Sequence, residues 1–368
     1  MKKIHLNLYS GYNYRGHKFA KVLKKLYNEI YLSNIKNNKA KTAYKYNNLD
    51  SQIKIKPLYL KYNNYFACTL RHLIYFKNKR VETVSIHNLG LMPMGIILKY
   101  FFKAKAIYEP HELETETIDK RNLKKFISKI IERICIKFVD HTIVVSPSIA
   151  KWYQKKYNIS KPTVIYNSRN NYYYKKKNIF REKFKIKKNK TIYLYNGNLN
   201  KKGRGITLIL DAFSKNDNKN NVIIFMGSGD FDKEIKSIAK KEENIFYHKS
   251  VPTQNLHLYT SSADVGICLI ENTCLNENYC LPNKLFEYLS GHIPVIVSNL
   301  YELKKFIKAN QCGFIFNLEK DNLETYLNKN INKKSLHTKL NYIKKTASIY
   351  DWKFEEAKIF KVYEKILK

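Results

Sequence analysis

Long apolar runs are missing from this chain of 368 residues. The best of them, Leu89 to Leu98, is about half the ~20 residues that a membrane-spanning helix requires, and it stops at Lys99. A bilayer span is therefore not expected. The start, MKKIHLNLYS, has a basic tip but lacks the apolar stretch of ~7–15 residues found in a secretory signal, and it alternates like a first strand. A cytoplasmic protein is expected. The six cysteines, Cys68, Cys135, Cys268, Cys274, Cys280 and Cys312, form no C-x-x-C pair and have no histidine at zinc spacing, so they read as reduced thiols. Acids are scarce, 30 against 68 Lys and Arg, which leaves a formal charge of +38.

Such an excess calls for a polyanionic partner. Codon bias competes as a cause, because Lys, Asn, Ile and Tyr are all abundant and share A/T-rich codons. The first 80 residues, however, hold eighteen Lys or Arg against two acids, and that asymmetry favours a basic N-terminal face toward an anionic membrane. Nucleic acid is not the expected partner, since neither an RNP-like aromatic signature nor zinc-finger spacing accompanies the charge.

Apolar strand-like runs alternate with helical periodicity throughout, the pattern of parallel sheets crossed by helices. Strands are predicted at 4–8, 82–86, 106–108, 140–146 and 163–167, then at 192–195, 222–226, 245–247, 265–270, 294–297 and 313–316. A loop carrying Gly11 and Gly16 precedes a first helix with Phe19, Val22, Leu23 and Leu26 on one side. Leu123, Phe126, Ile127, Ile130, Ile131, Ile134, Cys135 and Phe138 make one continuous helical stripe. The preferred reading packs that stripe on its own sheet and leaves Lys124, Lys125, Lys129, Arg133 and Lys137 in solvent; the alternative lays the helix on a membrane. The boundaries expected are an N-terminal domain over 1–168, a linker over 169–190, a second domain over 191–345 and a terminal helical segment over 346–368.

Chemistry concentrates in the second half. LPNKLFEYLSGHIP, 281–294, predicts a helix that holds Glu287 at its mouth, stops at Gly291 and is barred from continuing by Pro294. A carboxylate there, under the carboxyl edge of a parallel sheet, is suited to gripping ligand hydroxyls. After the strand at 192–195 comes NGNLNKKGRG, in which Gly197 lets backbone approach a ligand and Lys201, Lys202 and Arg204 offer charge at a helix start, a fitting cradle for phosphate. Gly227, in GSGD after the next strand, offers another close approach, and Val251-Pro252 follows the strand after that. In the first half, YEPHEL ends a strand with His111 between Glu109 and Glu112, and His87 ends another.

These elements resemble glycosyltransferase family 4 of the GT-B fold, in the branch that spells its donor helix with Pro-Asn-Lys-x-x-Glu-Tyr. The resemblance implies an α/β protein of two Rossmann-like domains with parallel sheets facing a cleft, and a C-terminal helix crossing back to the first domain. It assigns Glu287 to the ribose hydroxyls of a nucleotide-sugar, and Leu281, Asn283 and Lys284 to the same donor loop. Arg204 falls on the lysine that holds the donor diphosphate, with Gly197, Lys201 and Lys202 beside it and Gly227 nearby. Val251 falls on the segment touching the base, Gly16 on the N-terminal glycine loop, and His111 on the group facing the donor sugar. Two family residues are replaced. Tyr279 stands where the first of two glutamates belongs, and Asn198 stands where an arginine belongs.

The activity the resemblance implies is transfer of a hexose, with retention, from a nucleotide-sugar, expected to be UDP-linked, to a saccharide or lipid-linked saccharide of a bacterial surface glycan such as lipopolysaccharide or capsule. No metal and no cofactor beyond that co-substrate is implied. The peripheral inner face of the cytoplasmic membrane is the place that fits. With Tyr279 in the glutamate's position no carboxylate nucleophile is evident, which favours a front-face route over double displacement. A nucleotide-sugar epimerase of the same fold, or a catalytically weak subunit that binds nucleotide or glycan at a membrane, remains open as an alternative.

Overall fold

The computed structural model describes residues 2–10, 14–37, 53–60, 65–117, 122–171, 176–215 and 220–368. Gly11 and the tyrosines at 172–174 lie outside them. Two compact units result, Met1–Tyr166 together with Glu355–Lys368, and Asn167–Phe354.

The first unit is built on strands β1 (Lys3–Tyr9), β2 (Glu29–Asn37), β3 (Ile53–Leu60), β4 (Arg80–Ile86), β5 (Lys105–Tyr108), β6 (His141–Val144) and β7 (Thr163–Val164). They form one parallel sheet in the order β3-β2-β1-β4-β5-β6-β7, which turns back on itself between β1 and β4. β1 alternates apolar with polar residues, yet both sets are buried: Ile4, Leu6 and Leu8 on one side, His5 and Asn7 on the other. The polar side is covered because Tyr27 and Tyr363 pack on His5, the second from the C-terminal segment that belongs to this unit. His5 Nδ1 meets the Thr83 hydroxyl at 2.7 Å, which gives the buried ring one polar partner.

Helices α1 (Tyr14–Leu23), α2 (Tyr65–Phe76), α3 (Met92–Phe102), α4 (Asn122–Cys135) and α5 (Pro147–Tyr157) complete the crossovers. Gly16 lies buried inside the first turn of α1, and not in the loop before it where the glycine spacing put it. α4 overturns a second expectation. Its apolar stripe faces outward, with Leu123, Phe126, Ile127, Ile130 and Ile134 all exposed, and a short 3₁₀ turn at Ile136–Phe138 interrupts the continuous helix. The inward side carries Ser128, Glu132 and Cys135, four and three residues apart.

What pins α4 is a polar knot. The buried Glu132 carboxylate accepts hydrogen bonds from Tyr153 (2.6 Å), Tyr157 (2.6 Å), Thr115 (3.1 Å) and Tyr108 (3.2 Å). Four donors match the four lone-pair directions of a carboxylate, so no acceptor position of this buried group is left unpaired. Periodicity alone assigned the apolar stripe to the core because a stripe that size normally finds a sheet.

The second unit contains α6 (Ile179–Phe184), then β8 (Thr191–Asn198), α7 (Ile206–Ser214), β9 (Asn221–Ser228), α8 (Asp232–Ala239), β10 (Ile245–Lys249), α9 (Leu256–Thr260), β11 (Val265–Cys268), α10 (Leu275–Tyr279), α11 (Asn283–Ser290), β12 (Val295–Ser298), α12 (Tyr301–Asn310), β13 (Gly313–Phe316), α13 (Leu323–Asn330) and α14 (Lys333–Ile349). Its six strands are parallel in the order β10-β9-β8-β11-β12-β13. The direction of winding reverses between β8 and β11, and the crevice beyond their carboxyl ends is where an open α/β sheet admits a ligand. The last helix, α15 (Trp352–Leu367), begins in this unit and ends in the first, with Trp352 buried at the bend.

Candidate functional site

At the carboxyl end of β8 the chain makes its tightest approach. Gly197 has φ +119°, and it pairs in register with Gly227 of β9. A Cβ on Gly227 would stand 1.8 Å from the Gly197 carbonyl oxygen, and one on Gly197 would stand 3.1 Å from Lys284 Cε. Only glycines let these two strand ends touch while leaving room for a lysine across them.

Lys284 is in the first turn of α11, which Pro282 precedes as N-cap. Its ammonium lies 3.6 Å from the centre of the Tyr195 ring. Burial pulls its pKa down to about 8; Cys268 and Glu287 oppose that fall and Arg204 adds to it. A cation held out of water and short of anionic partners is primed to gain from an arriving anion.

Glu287 lies in the second turn of α11 and is buried, so it is not at the helix mouth where the sequence put it. The helix starts only at Asn283, four residues earlier, because Pro282 takes the extended conformation of the cap. Arg169 Nη2 donates to Glu287 Oε1 at 2.5 Å, and Asn196 Nδ2 donates to Oε2 at 2.8 Å. Two of about four acceptor positions remain for other donors. Tyr288, next in sequence, fixes the helix. Its hydroxyl accepts from the Asn196 backbone N–H (3.0 Å) and lies within bonding reach of the carbonyls of Leu194 (2.9 Å) and Ile267 (3.1 Å).

The charges converge on one point. Buried Cys268, which ends β11, has its thiol pushed up to about 11 by burial, with Lys284 and Arg204 pulling it down and Glu287 and Glu277 pushing it up. Arg204 is half-buried in the loop that leads to α7, whereas Lys201 and Lys202 are exposed. Lys201 nevertheless has its ammonium over the Phe231 ring and its backbone N–H on Asp230. Asp230-Phe231-Asp232 spells an Asp-x-Asp pair, and its second carboxylate is paired with Lys236. Among the described residues no cluster of three or more His, Cys, Asp or Glu side chains is placed to hold a metal ion.

Gly197, Gly227, Arg204, Lys284 and Glu287 thus share one end of one sheet. Leu281 is buried just before α11, and Asn283 is exposed at its first position. Tyr279 ends α10 with its ring 6.0 Å from that of Tyr301, and Cys280 Sγ donates to the Glu277 carbonyl oxygen. Burial and the Glu277 charge hold the Cys280 thiol protonated, which suits a filler and not a nucleophile. Val251 stands apart in the loop after the edge strand β10, beyond an aromatic group of Phe180, His248 and Tyr259. Sequence reasoning missed Arg169 and Asn196. Arg169 belongs to a polar stretch without periodicity; Asn196, a polar residue within an apolar strand, was the available signal.

In the first unit, His111 and His87 meet at the carboxyl ends of β5 and β4, with Nε2 to Nδ1 at 3.0 Å. Burial lowers both: His87 to about 3 and His111 well below its usual value, with the Arg15 charge adding to each. Both rings are neutral near pH 7. Glu109 takes a 2.6 Å hydrogen bond from Tyr363, and burial raises its carboxyl pKa. Arg15, beside Gly16, is buried and donates to the Ile165 carbonyl at 2.9 Å. Burial lowers its pKa to about 10.

Two family models lie end to end on the chain. One described as Glycosyltransferase Family 4 matches residues 20–170, and one described as Glycosyl transferases group 1 matches residues 176–347. The fold is shared with several solved structures. A sucrose-phosphate synthase from Thermosynechococcus elongatus superposes with TM-score 0.77 at 13% identity, over 100% of this chain and 99% of the other. Anabaena HepE, solved in complex with UDP-glucose, gives TM-score 0.77 at 13% identity over 99% and 100%. The lipopolysaccharide outer core galactosyltransferase WaaB in its apo form gives 0.67 at 14% identity over 99% of each chain. Against proteins of curated function, sequence comparison returns no match.

Proposed function

The chain belongs to the family 4-like glycosyltransferases of the GT-B fold, and on that premise we propose that it transfers a hexose, with retention, from a nucleoside-diphosphate sugar to a saccharide or lipid-linked saccharide of a bacterial surface glycan. The observation that carries this reading is the convergence of Lys284, Arg204 and Glu287 at the glycine pair Gly197 and Gly227. Cations suit a diphosphate, and a half-satisfied carboxylate suits the two hydroxyls of a ribose. UDP is the nucleotide this reading favours, because HepE was solved with UDP-glucose.

In the reaction, negative charge collects on the leaving diphosphate as the glycosidic bond breaks. Arg204 and Lys284 are then worth more than in the ground state, which is the condition for catalysis by a fixed charge. Glu287 holds the ribose and thereby sets where the anomeric carbon stands. With Tyr279 in place of a carboxylate, we assign a front-face route in which the departing phosphate oxygen takes the acceptor's proton. Neutral His111 is a hydrogen-bonding group in this scheme and not a cation. Among the described residues no helix is long and apolar enough to cross a membrane, and a peripheral station on the inner face of the cytoplasmic membrane fits a lipid-linked acceptor.

The test is hydrolysis and transfer by the purified full chain on a panel of nucleotide-sugars, with and without membrane glycolipid. Sugar release that glycolipid accelerates, with the product's anomeric configuration retained, supports the reading. Conversion of the donor to an isomeric nucleotide-sugar without acceptor would replace it with an epimerase. Nucleotide binding without turnover would replace it with a non-catalytic subunit.

A further inference from the structure

On the first unit α2, α3 and α4 lie side by side, and a groove of about 890 Å³ runs among them, lined by Leu70, Leu73, Met94, Ile97, Ile127 and Ile131. Its inner end reaches Ser10 and Asn88, at the carboxyl ends of β1 and β4. Its rim is mainly apolar and, among the described residues, exposed. On α2, Phe66 is 79% exposed and Ile74 67%; on α4, Leu123 is 71% and Phe126 62% exposed. Ile97, Tyr100 and Phe101 of α3 are exposed between them. A contiguous apolar surface of this extent on a folded unit marks a contact with something else. Loose packing does not explain it, because the Glu132 knot holds α4 from its other side.

Charge decides what the contact is. α2 and α3 contain no acidic residue, the one acid of α4, Glu132, is buried, and Glu114, which lines the groove, accepts a hydrogen bond from the Leu89 backbone N–H at 2.8 Å. Arg71, Lys103, Lys124, Arg133 and Lys137 are exposed among the apolar residues. A second copy of a chain with formal charge +38 would be repelled from such a face. Nucleic acid would match the charge, but the aliphatic side chains Leu70, Ile74, Ile97, Leu123, Ile127 and Ile134, exposed between the aromatic ones, give bases nothing to stack on, whereas hydrocarbon accepts both kinds. Hydrocarbon beneath a layer of anionic headgroups matches both components, as it does for an interfacial amphipathic helix.

We propose that the α2–α3–α4 face of the first unit docks into the hydrocarbon layer of an anionic phospholipid bilayer, with the groove open to a lipid chain. The proposal rests on the glycosyl-transfer reading only in making the acceptor a lipid of that bilayer. It also replaces the charge-only attraction expected from the basic N-terminal sequence with a contact in which charge attracts and apolar side chains hold.

The experiment is sedimentation of the full chain with phosphatidylcholine vesicles and with vesicles containing phosphatidylglycerol, alongside Phe66→Ser/Phe126→Ser and Lys124→Ser/Arg133→Ser. The wild type should prefer the anionic vesicles, and part of its binding should survive a rise from ~0.1 M to ~1 M salt, which collapses the screening length. The double phenylalanine variant should partition at least about tenfold more weakly, since each ring forfeits the transfer of a large apolar surface. The double basic variant should lose its preference for anionic vesicles. Both pairs are solvent-exposed, so an unchanged unfolding midpoint and unchanged donor turnover without vesicles identify the loss as one of docking. Wild-type binding by the phenylalanine variant overturns the proposal. So does complete release of the wild type by salt, or a wild-type dimer in solution that the phenylalanine variant abolishes. Failure of donor turnover with vesicle binding intact would instead overturn the glycosyl-transfer reading.

Discussion

Replacing Lys284 with Met should stabilise the protein while removing its hold on the donor. The lysine's pKa falls from 10.5 to about 8 because burial penalises its charge. That difference of roughly 2.5 units corresponds to about 3 kcal/mol of cost for keeping it charged at pH 7. Although Lys284 as a residue is only partly buried, its ammonium lies on the Tyr195 face. That contact and residual solvent return some of the cost, leaving ~1–3 kcal/mol. The sign follows from proton counts. Between pH 8 and 10.5 the unfolded lysine is protonated and the folded one is not, so wild-type stability gains with rising pH across that window and the Met variant lacks the gain. For a unit of this size, each kcal/mol moves the midpoint by roughly 2–4 °C. Lys284→Met should therefore melt roughly 2–12 °C higher at pH 7, with the advantage fading toward pH 10. A bound nucleoside diphosphate should stabilise the wild type and not the variant, and wild-type affinity for it should decline above about pH 8. The assay is thermal unfolding of both proteins from pH 7 to 10, with and without UDP. Equal midpoints at pH 7 would refute the buried charge, and undiminished stabilisation of the variant by UDP would refute its role at the diphosphate.

Glu287→Gln should lower donor kcat/KM roughly 10- to 150-fold, the worth of one hydrogen bond to a charged group, and should also lower the unfolding midpoint because Arg169 loses its counter-charge; unchanged kinetics would remove Glu287 from the site. Arg204→Ala should reduce kcat by about 10²–10³ with a smaller change in donor KM. Comparison with a variant that also lacks Lys201 and Lys202 shows whether those exposed lysines substitute for it. His87→Gln should flatten the acid limb of stability. With its pKa lowered to about 3 in the fold, His87 is neutral there while the unfolded chain binds a proton below about 6.5, so wild-type stability falls as pH drops through that window by up to ~1.4 kcal/mol per unit from this one group. Urea titrations at pH 7, 5.5 and 4.5 would check the slope.

Both sheets were legible in the sequence wherever a strand is buried on two faces, because such strands are continuous apolar words: Ile192 to Tyr195 and Val222 to Met226 are buried throughout. β2 and β3 escaped notice because EIYLSNIKN and IKIKPLYL interleave lysine and asparagine with their apolar residues. The orientation of α4 is opposite to the one its periodicity suggests, for a physical reason. Periodicity reports that a helix has an apolar side, and it does not say whether protein or something else covers that side. At the site, glycines, cations and the carboxylate were visible as residue types. The Arg169 contact was not, since it joins positions 118 residues apart and neither partner's neighbours signal the other.

The knot around Glu132 separates two properties that most amphipathic helices combine. In an ordinary crossover helix the same apolar side chains both anchor the helix and define its surface, so any change to one disturbs the other. Here much of the attachment falls to one carboxylate and its ring of hydroxyls, while the outward residues Leu123, Phe126, Ile130 and Ile134 are largely in solvent. The outer surface of α4 is therefore free to vary residue by residue at little cost to folding, whereas Glu132 tolerates almost no replacement. Selection for a different contact surface can proceed by single steps, without compensating changes in the interior.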